Sequence, residues 1–174
     1  MRIRSDQAAL ACLATVAVAD RVIFARRLPW ILVGFFDHPA HLATAGLIVL
    51  NLSARSRGWT AAFLAGSLLP DLDHVPLALS RVHPTLDDPR PVTHCLLAVA
   101  PVGLLAAATS DERLRGLTWG MLAHFLRDVG VGTGVALLWP ALRHPLRMPY
   151  PGYAGACFLL AARAVWLTNR AQAR

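Results

Sequence analysis

The chain contains no lysine: all 17 of its basic residues are arginine. That excludes Schiff-base chemistry and any lysine nucleophile or base. Cysteine is scarce, with Cys12, Cys95 and Cys157 standing singly inside apolar stretches. An odd number without Cys-x-x-Cys spacing argues against a disulfide framework or a thiolate metal site, and favours small buried hydrophobes. Catalytic signatures are missing too. No Gly-x-Ser-x-Gly elbow marks a nucleophilic serine, and there is no phosphate-cradling P-loop. Gly130-x-Gly132-x-Gly134 follows a helical pattern rather than a strand, so a dinucleotide fold fails its context. There is no internal repeat and no low-complexity tract.

What the chain has in excess is apolar surface. Hydrophobic residues make up 56% of it and the mean hydropathy is +0.49, high for a soluble domain. Apolar segments recur along almost the whole length, separated by short clusters of Arg, Asp, Pro and Gly. That pattern describes one integral membrane domain over residues 1–174. The expected fold is all-α, a polytopic helical membrane bundle. Several segments are shorter than the roughly 20 residues of a perpendicular span, so tilted or re-entrant pieces are expected. The net charge of +7 sits on arginines scattered at segment ends. Such arginines snorkel to headgroups and set topology. The lipid bilayer is therefore the expected partner and nucleic acid is not; the oligomeric state leaves no trace in the sequence.

Residues 1–19 open with Arg2 and Arg4 and end in Ala17-Val18-Ala19, which resembles a signal-peptidase site. The apolar body that follows favours a first membrane helix that stays attached. Leu28 to Phe36 is too short to span and reads either as an interfacial piece or as a continuation of the entry segment. Helices are then expected over about 39–54, 59–69 (resuming at 75–79), 92–108, 112–128, 131–142 and 153–169. The connection from Ser80 to Pro91 is the most polar, with Arg81, His83, Asp87, Asp88 and Arg90.

The polar residues inside this apolar frame are few and ordered. His41 lies at the start of one helix, and Asp71, Asp73 and His74 at the end of the next. His94 opens a third, and His124 and Asp128 close a fourth. If these helices alternate in direction, as short connections favour, all these positions arrive at one face. Arg55, Arg57, Asp111, Glu112, Arg113 and Arg115 arrive at the other. Carboxylates beside hydrocarbon are costly and have a partner or a job. His124 and Asp128, four apart, share one side of a helix and can hold one cation together. Imidazoles and carboxylates without thiolates suit Zn²⁺, Mn²⁺ or Fe²⁺, and the number of histidines tilts the choice to zinc. The candidates His41, Asp71, Asp73, His94, His124 and Asp128 exceed one tetrahedral shell. Some then stand behind ligands, or a second ion is bound. His38, His83 and His144 read as solvated or headgroup-facing side chains.

Four stretches occur in an order that carries a resemblance. They are Gly66-Ser-Leu-Leu-Pro-Asp71-Leu-Asp73-His74, then Arg90-Pro-Val-Thr93-His94-Cys-Leu-Leu, then His124-Phe-Leu-Arg-Asp128, then Gly134-Val-Ala-Leu-Leu-Trp139-Pro140. Together they resemble the bacterial membrane-bound metal-dependent hydrolase family of small inner-membrane proteins, over about residues 39–142. Its early Thr-His motif falls on Ala40-His41. Asp88-Pro89-Arg90-Pro91 stands where the family shows His-Arg-Gly, and Cys95 where it shows Ser. The resemblance implies a multi-pass protein of the bacterial inner membrane that binds one or two divalent ions. The expected activity is hydrolysis of an ester or phosphoester of a lipid or lipid-linked substrate. Asp73 is the expected base and Arg90 a clamp for an anionic headgroup. The alternative is a membrane protein that carries or senses metal without hydrolysis, which would need polar residues continuing toward the other face. Short Arg-rich loops stay cytoplasmic, so Arg55, Arg57, Arg113 and Arg115 aim the site outward, with Arg81, Arg90 and Arg127 opposing that bias.

Overall fold

A computed structural model describes residues 4–25, 28–53, 55–74 and 93–173. Among these it contains six α-helices: α1 (Ser5–Ala25), α2 (Trp30–Leu50), α3 (Arg57–Gly66), α4 (Leu96–Thr109), α5 (Glu112–Gly130) and α6 (Tyr150–Gln172). A 3-10 turn, Leu69–Asp73, follows α3. The fold is an all-α helical membrane bundle. Two helices, Ser5–Ala25 and Leu32–Leu50, are long and apolar enough to cross a membrane, yet only 28% and 39% of their apolar windows are buried. A soluble core helix would hide most of that surface. Here Leu10, Val18, Phe24, Phe35, Leu104, Leu105, Phe158 and Leu159 point outward, as lipid contact requires.

Local rules set the ends of the helices that matter for the site. Ser56 caps α3 by accepting from the Trp59 amide at 3.1 Å. Asp111 caps α5 by accepting from Arg113 and Leu114. Ser56 also donates to Glu112 at 3.0 Å, so α3 and α5 start together and run side by side in the same direction. Their contact is almost backbone to backbone. A Cβ added at Gly66, Gly116 or Gly120 would overlap the carbonyl of Leu117, Trp59 or Phe63 respectively. Small residues permit this approach where lipid offers helices no hydrophobic reason to associate. The longer α5 then continues past the end of α3, carrying His124 and Asp128 alongside the 3-10 turn with Asp71.

The elements depart from expectation in particular places. Pro39 lies inside α2 rather than at its start, and the piece from Trp30 to Phe36 belongs to the same helix, with Pro29 at its cap. In an apolar setting the backbone has no water to bond to, so a proline is absorbed rather than allowed to end the helix. The stretch 131–142 is not helical. Gly132 and Gly134 adopt φ of 78° and 81°, and Val135 and Leu146 exchange backbone hydrogen bonds of 3.1 and 2.8 Å. Gly134 is needed there because a side chain would meet the Leu146 carbonyl. This loop is tied to the start of α4 by the Leu96 amide donating to the Leu137 carbonyl at 2.9 Å. The possible resumption at 75–79 and the polar connection 80–91, with His83 and Arg90, lie outside the described residues. The first helix runs past Ala19, and Asp20 within it is buried in the bundle.

Candidate metal centre

Helix geometry brings His41 of α2, Asp71 of the 3-10 turn, His94 before α4, and His124 and Asp128 of α5 into one buried cluster. His124 Nε2 lies 2.9 Å from Asp128 Oδ2 and 3.5 Å from Asp71 Oδ1. His94 Nε2 lies 3.3 Å from Asp71 Oδ1 and 3.6 Å from Asp128 Oδ2. His41 Nε2 lies 3.4 Å from Asp128 Oδ1 and 3.9 Å from Asp71 Oδ2. Most of these separations exceed the about 2.9 Å of an ordinary hydrogen bond. They match the about 3.3 Å between donors that share a tetrahedral cation through bonds of roughly 2 Å. Neither nitrogen of His41, nor Nε2 of His124, makes a hydrogen bond although all are buried. Buried polar atoms left this way ask for a ligand.

The surroundings orient the rings. His124 Nδ1 donates to the Ser67 carbonyl at 2.8 Å, which places its free lone pair on Nε2, toward the carboxylates. His94 Nδ1 faces Asp73 Oδ2 at 3.5 Å and Thr93 Oγ1 at 3.3 Å. Asp73 Oδ1 is 2.9 Å from His74 Nδ1. Asp73 thus stands behind His94 at the half-buried rim, as carboxylates behind metal-binding histidines do. His38, the most exposed imidazole here, still reaches Asp71 Oδ2 at 3.5 Å. Among the described residues three overlapping groups have donor atoms close enough to hold a metal: His41, His124 and Asp128; Asp71, His94 and His124; and Asp73, His74 and His94.

Burial alone would push the Asp71 carboxyl up, but His94, His41 and His124 outweigh it and bring it down to about 2. Burial would likewise lower the His94 imidazole, yet Asp71, Asp73 and Asp128 raise it to about 9. For Asp73 too the flanking His74 and His94 overcome burial and lower its pKa. The cluster is therefore a strongly interacting acid–base set.

Sequence reading overlooked a second polar network touching the first. Arg127, fully buried, bonds Asp37 Oδ1 through Nε at 2.7 Å and Nη2 at 2.6 Å, and pairs with Asp20 Oδ1 at 2.8 Å. It also donates to the Tyr153 hydroxyl at 3.1 Å, which shares a 2.7 Å hydrogen bond with Thr44. Tyr150 donates to Asp20 Oδ2 at 3.0 Å. Asp37 Oδ2 in turn lies 3.6 Å from His41 Nε2. The available signals were an arginine beside Asp128 in an apolar helix and an aspartate one turn before His41. Arg127 is consequently a buried charge paired inside the bundle and not a headgroup-facing one. No curated protein and no solved structure matches the chain. A family model does, over residues 35–173, which include every residue of the imidazole–carboxylate cluster; the chain belongs to the YdjM inner membrane protein family.

Proposed function

We propose that this chain is a multi-pass inner-membrane metal-dependent hydrolase acting on an ester or phosphoester of a lipid or lipid-linked substrate. The observation that carries the reading is the set of buried Nε2 atoms of His41, His94 and His124 aimed at Asp71 and Asp128. Their spacing suits a shared ion better than hydrogen bonds. The donors are nitrogen and oxygen without sulfur, which fits Zn²⁺, Mn²⁺ or Fe²⁺. A divalent cation held there supplies Lewis acidity, polarising a carbonyl or phosphoryl oxygen and making water acidic enough to attack near neutral pH.

The chain's own residues do the rest. Ser67 and Asp73 hold the His124 and His94 rings in the orientation that presents Nε2. The Asp73–His74 pair, at the half-buried rim, accepts the proton of the attacking water and passes it toward solvent. The apolar outer surface brings substrates already dissolved in the bilayer to the same depth. Arg4 bonds Gln172 at the end of the bundle that also carries Arg55, Arg57, Arg113 and Arg115. That arginine-rich end faces the cytoplasm, so the site opens on the opposite side. A transport role has less support. Beyond Thr44, the buried side chains of α2 are Ala45 and Leu47, which offer no polar path onward.

Elemental analysis of detergent-purified protein tests the reading. Wild type is expected to hold metal, and His94→Ala and Asp71→Ala to lose it; equal content in all three sinks the proposal. A screen of phosphoesters and acyl esters with chelator controls then separates hydrolysis from plain metal binding.

A further inference from the structure

The two carboxylates at the centre of the cluster divide their oxygens between two sides. Asp128 turns Oδ1 to His41 and Oδ2 to His94 and His124. Asp71 turns Oδ2 to His41 and His38, and Oδ1 to His94 and His124. The rings of His41 and His124 are stacked, with centroids 3.8 Å apart and planes 7° from parallel. An imidazole binds a cation along the nitrogen lone pair, which lies in the ring plane. Stacked parallel rings cannot both point that lone pair at one ion. An ion midway would sit well over an ångström out of each plane, against a bond of about 2 Å. Two ions, one per ring, would lie about as far apart as the rings. That is the about 3.5–4 Å separation of two-metal sites.

We propose that this cluster is a two-cation centre bridged by Asp71 and Asp128, in which Asp37 is a ligand on the His41 side. The inference rests on the metal-binding reading above and deepens it. His94 and His124 hold one ion with Asp71 Oδ1 and Asp128 Oδ2. His41 holds the other with Asp71 Oδ2, Asp128 Oδ1 and Asp37 Oδ2. Arg127 is the positioning residue: it grips Asp37 Oδ1 through two nitrogens and leaves Oδ2 turned toward His41. Charge points the same way. Among the described residues, the two joined networks hold five carboxylates, Asp20, Asp37, Asp71, Asp73 and Asp128, and one buried guanidinium, Arg127, which pairs with Asp20 and Asp37. Two divalent ions neutralise that excess and one leaves it half compensated. Protonated imidazoles would compensate it without metal, an outcome that counting ions exposes.

The test is stoichiometry in purified full-length protein, read by elemental analysis after loading with Zn²⁺ and by the visible absorbance of a Co²⁺ titration. Wild type is expected to bind two equivalents per chain, with the titration breaking at two. One equivalent overturns the two-cation centre while leaving the metal site standing; none overturns both. Asp37→Asn is expected to bind one equivalent, and a variant that still binds two overturns the role of Asp37. If Asp37→Asn does not yield monodisperse protein, His41→Gln, which leaves the Arg127–Asp37 pair in place, carries the same expectation of one equivalent. Two equivalents in His41→Gln overturns the assignment of His41 to its own ion.

Discussion

Arg127 and Asp128 are consecutive on α5, yet their side chains enter different networks. Asp128 turns to the imidazoles of His41, His94 and His124, while Arg127 turns to Asp37 and Asp20. The two networks meet again at α2, where Asp37 and His41 are one turn apart. One helical turn of α5 therefore fastens α1, α2, α6 and the candidate metal centre together. The guanidinium neutralises charge that the apolar interior would otherwise have to carry alone.

Removing that cation should be costly. Arg127→Gln leaves the Asp20 and Asp37 carboxylates buried without their counter-ion. Breaking a buried pair in this way costs about 3–5 kcal/mol. Denaturant or thermal unfolding in detergent should show a loss of that order. A change within measurement error would mean that the carboxylates find solvent or protons instead.

Tyr153→Phe is the matching mild variant. It removes one hydroxyl bonded to Arg127 and Thr44 but no carboxylate and no candidate ligand. The expected loss is about 1 kcal/mol, the net value of a hydrogen bond, or somewhat more because partners remain buried. Metal content should match wild type. If metal is lost as well, the two networks are one site.

Metal affinity should climb with pH well past the range of an ordinary histidine. In the metal-free protein Asp71 and Asp73 hold the His94 proton, so its pKa stands at about 9 instead of 6.5. A cation must displace that proton, so affinity rises with pH up to about 9 and levels off above it. Calorimetry at pH 7.5 in two buffers of different ionisation heat should register protons released on binding; zero release refutes the expectation. The linkage to stability has a definite sign. The raised His94 pKa stabilises the metal-free fold fully below about 6.5, and that contribution fades as pH rises to about 9. The lowered Asp71 pKa contributes above 3.8 and fades as pH falls to about 2.

The gathering of His41, Asp71, His94, His124 and Asp128 was legible because polar residues are rare in this chain. Their placement near helix ends, with alternating helix direction, leaves one face for them. Asp37 was not legible. Pro39 reads as a helix start in water-based rules, which separated Asp37 from His41; the continuous α2 puts them on one face. Arg127 reads as a topology-setting charge in the sequence because its partner Asp20, the buried polar residue of α1, lies over a hundred positions away. The stretch 131–142 looked helical from its apolar content. Gly134, at positive φ, instead serves a close backbone approach that periodicity does not encode.

The glycine seam between α3 and α5 gives the remaining prediction. His124 takes its orientation from the Ser67 carbonyl at the end of α3, and Asp71 follows a turn later. The spacing of α3 from α5 thus sets the distance between Asp71 and the His124–Asp128 pair. A methyl group at Gly120 would overlap the Phe63 carbonyl, and backbone cannot swing aside as a side chain can. Gly120→Ala should therefore push the helices apart, costing about 1–3 kcal/mol as overpacking does. It should also weaken metal binding, although Gly120 offers no ligand atom. Gly155→Ala, on α6 with open space around it, is the control: it should leave metal content unchanged and, because alanine is the better helix former, should not lower stability. Wild-type metal affinity in Gly120→Ala would show that the cluster does not depend on the close approach of α3 and α5.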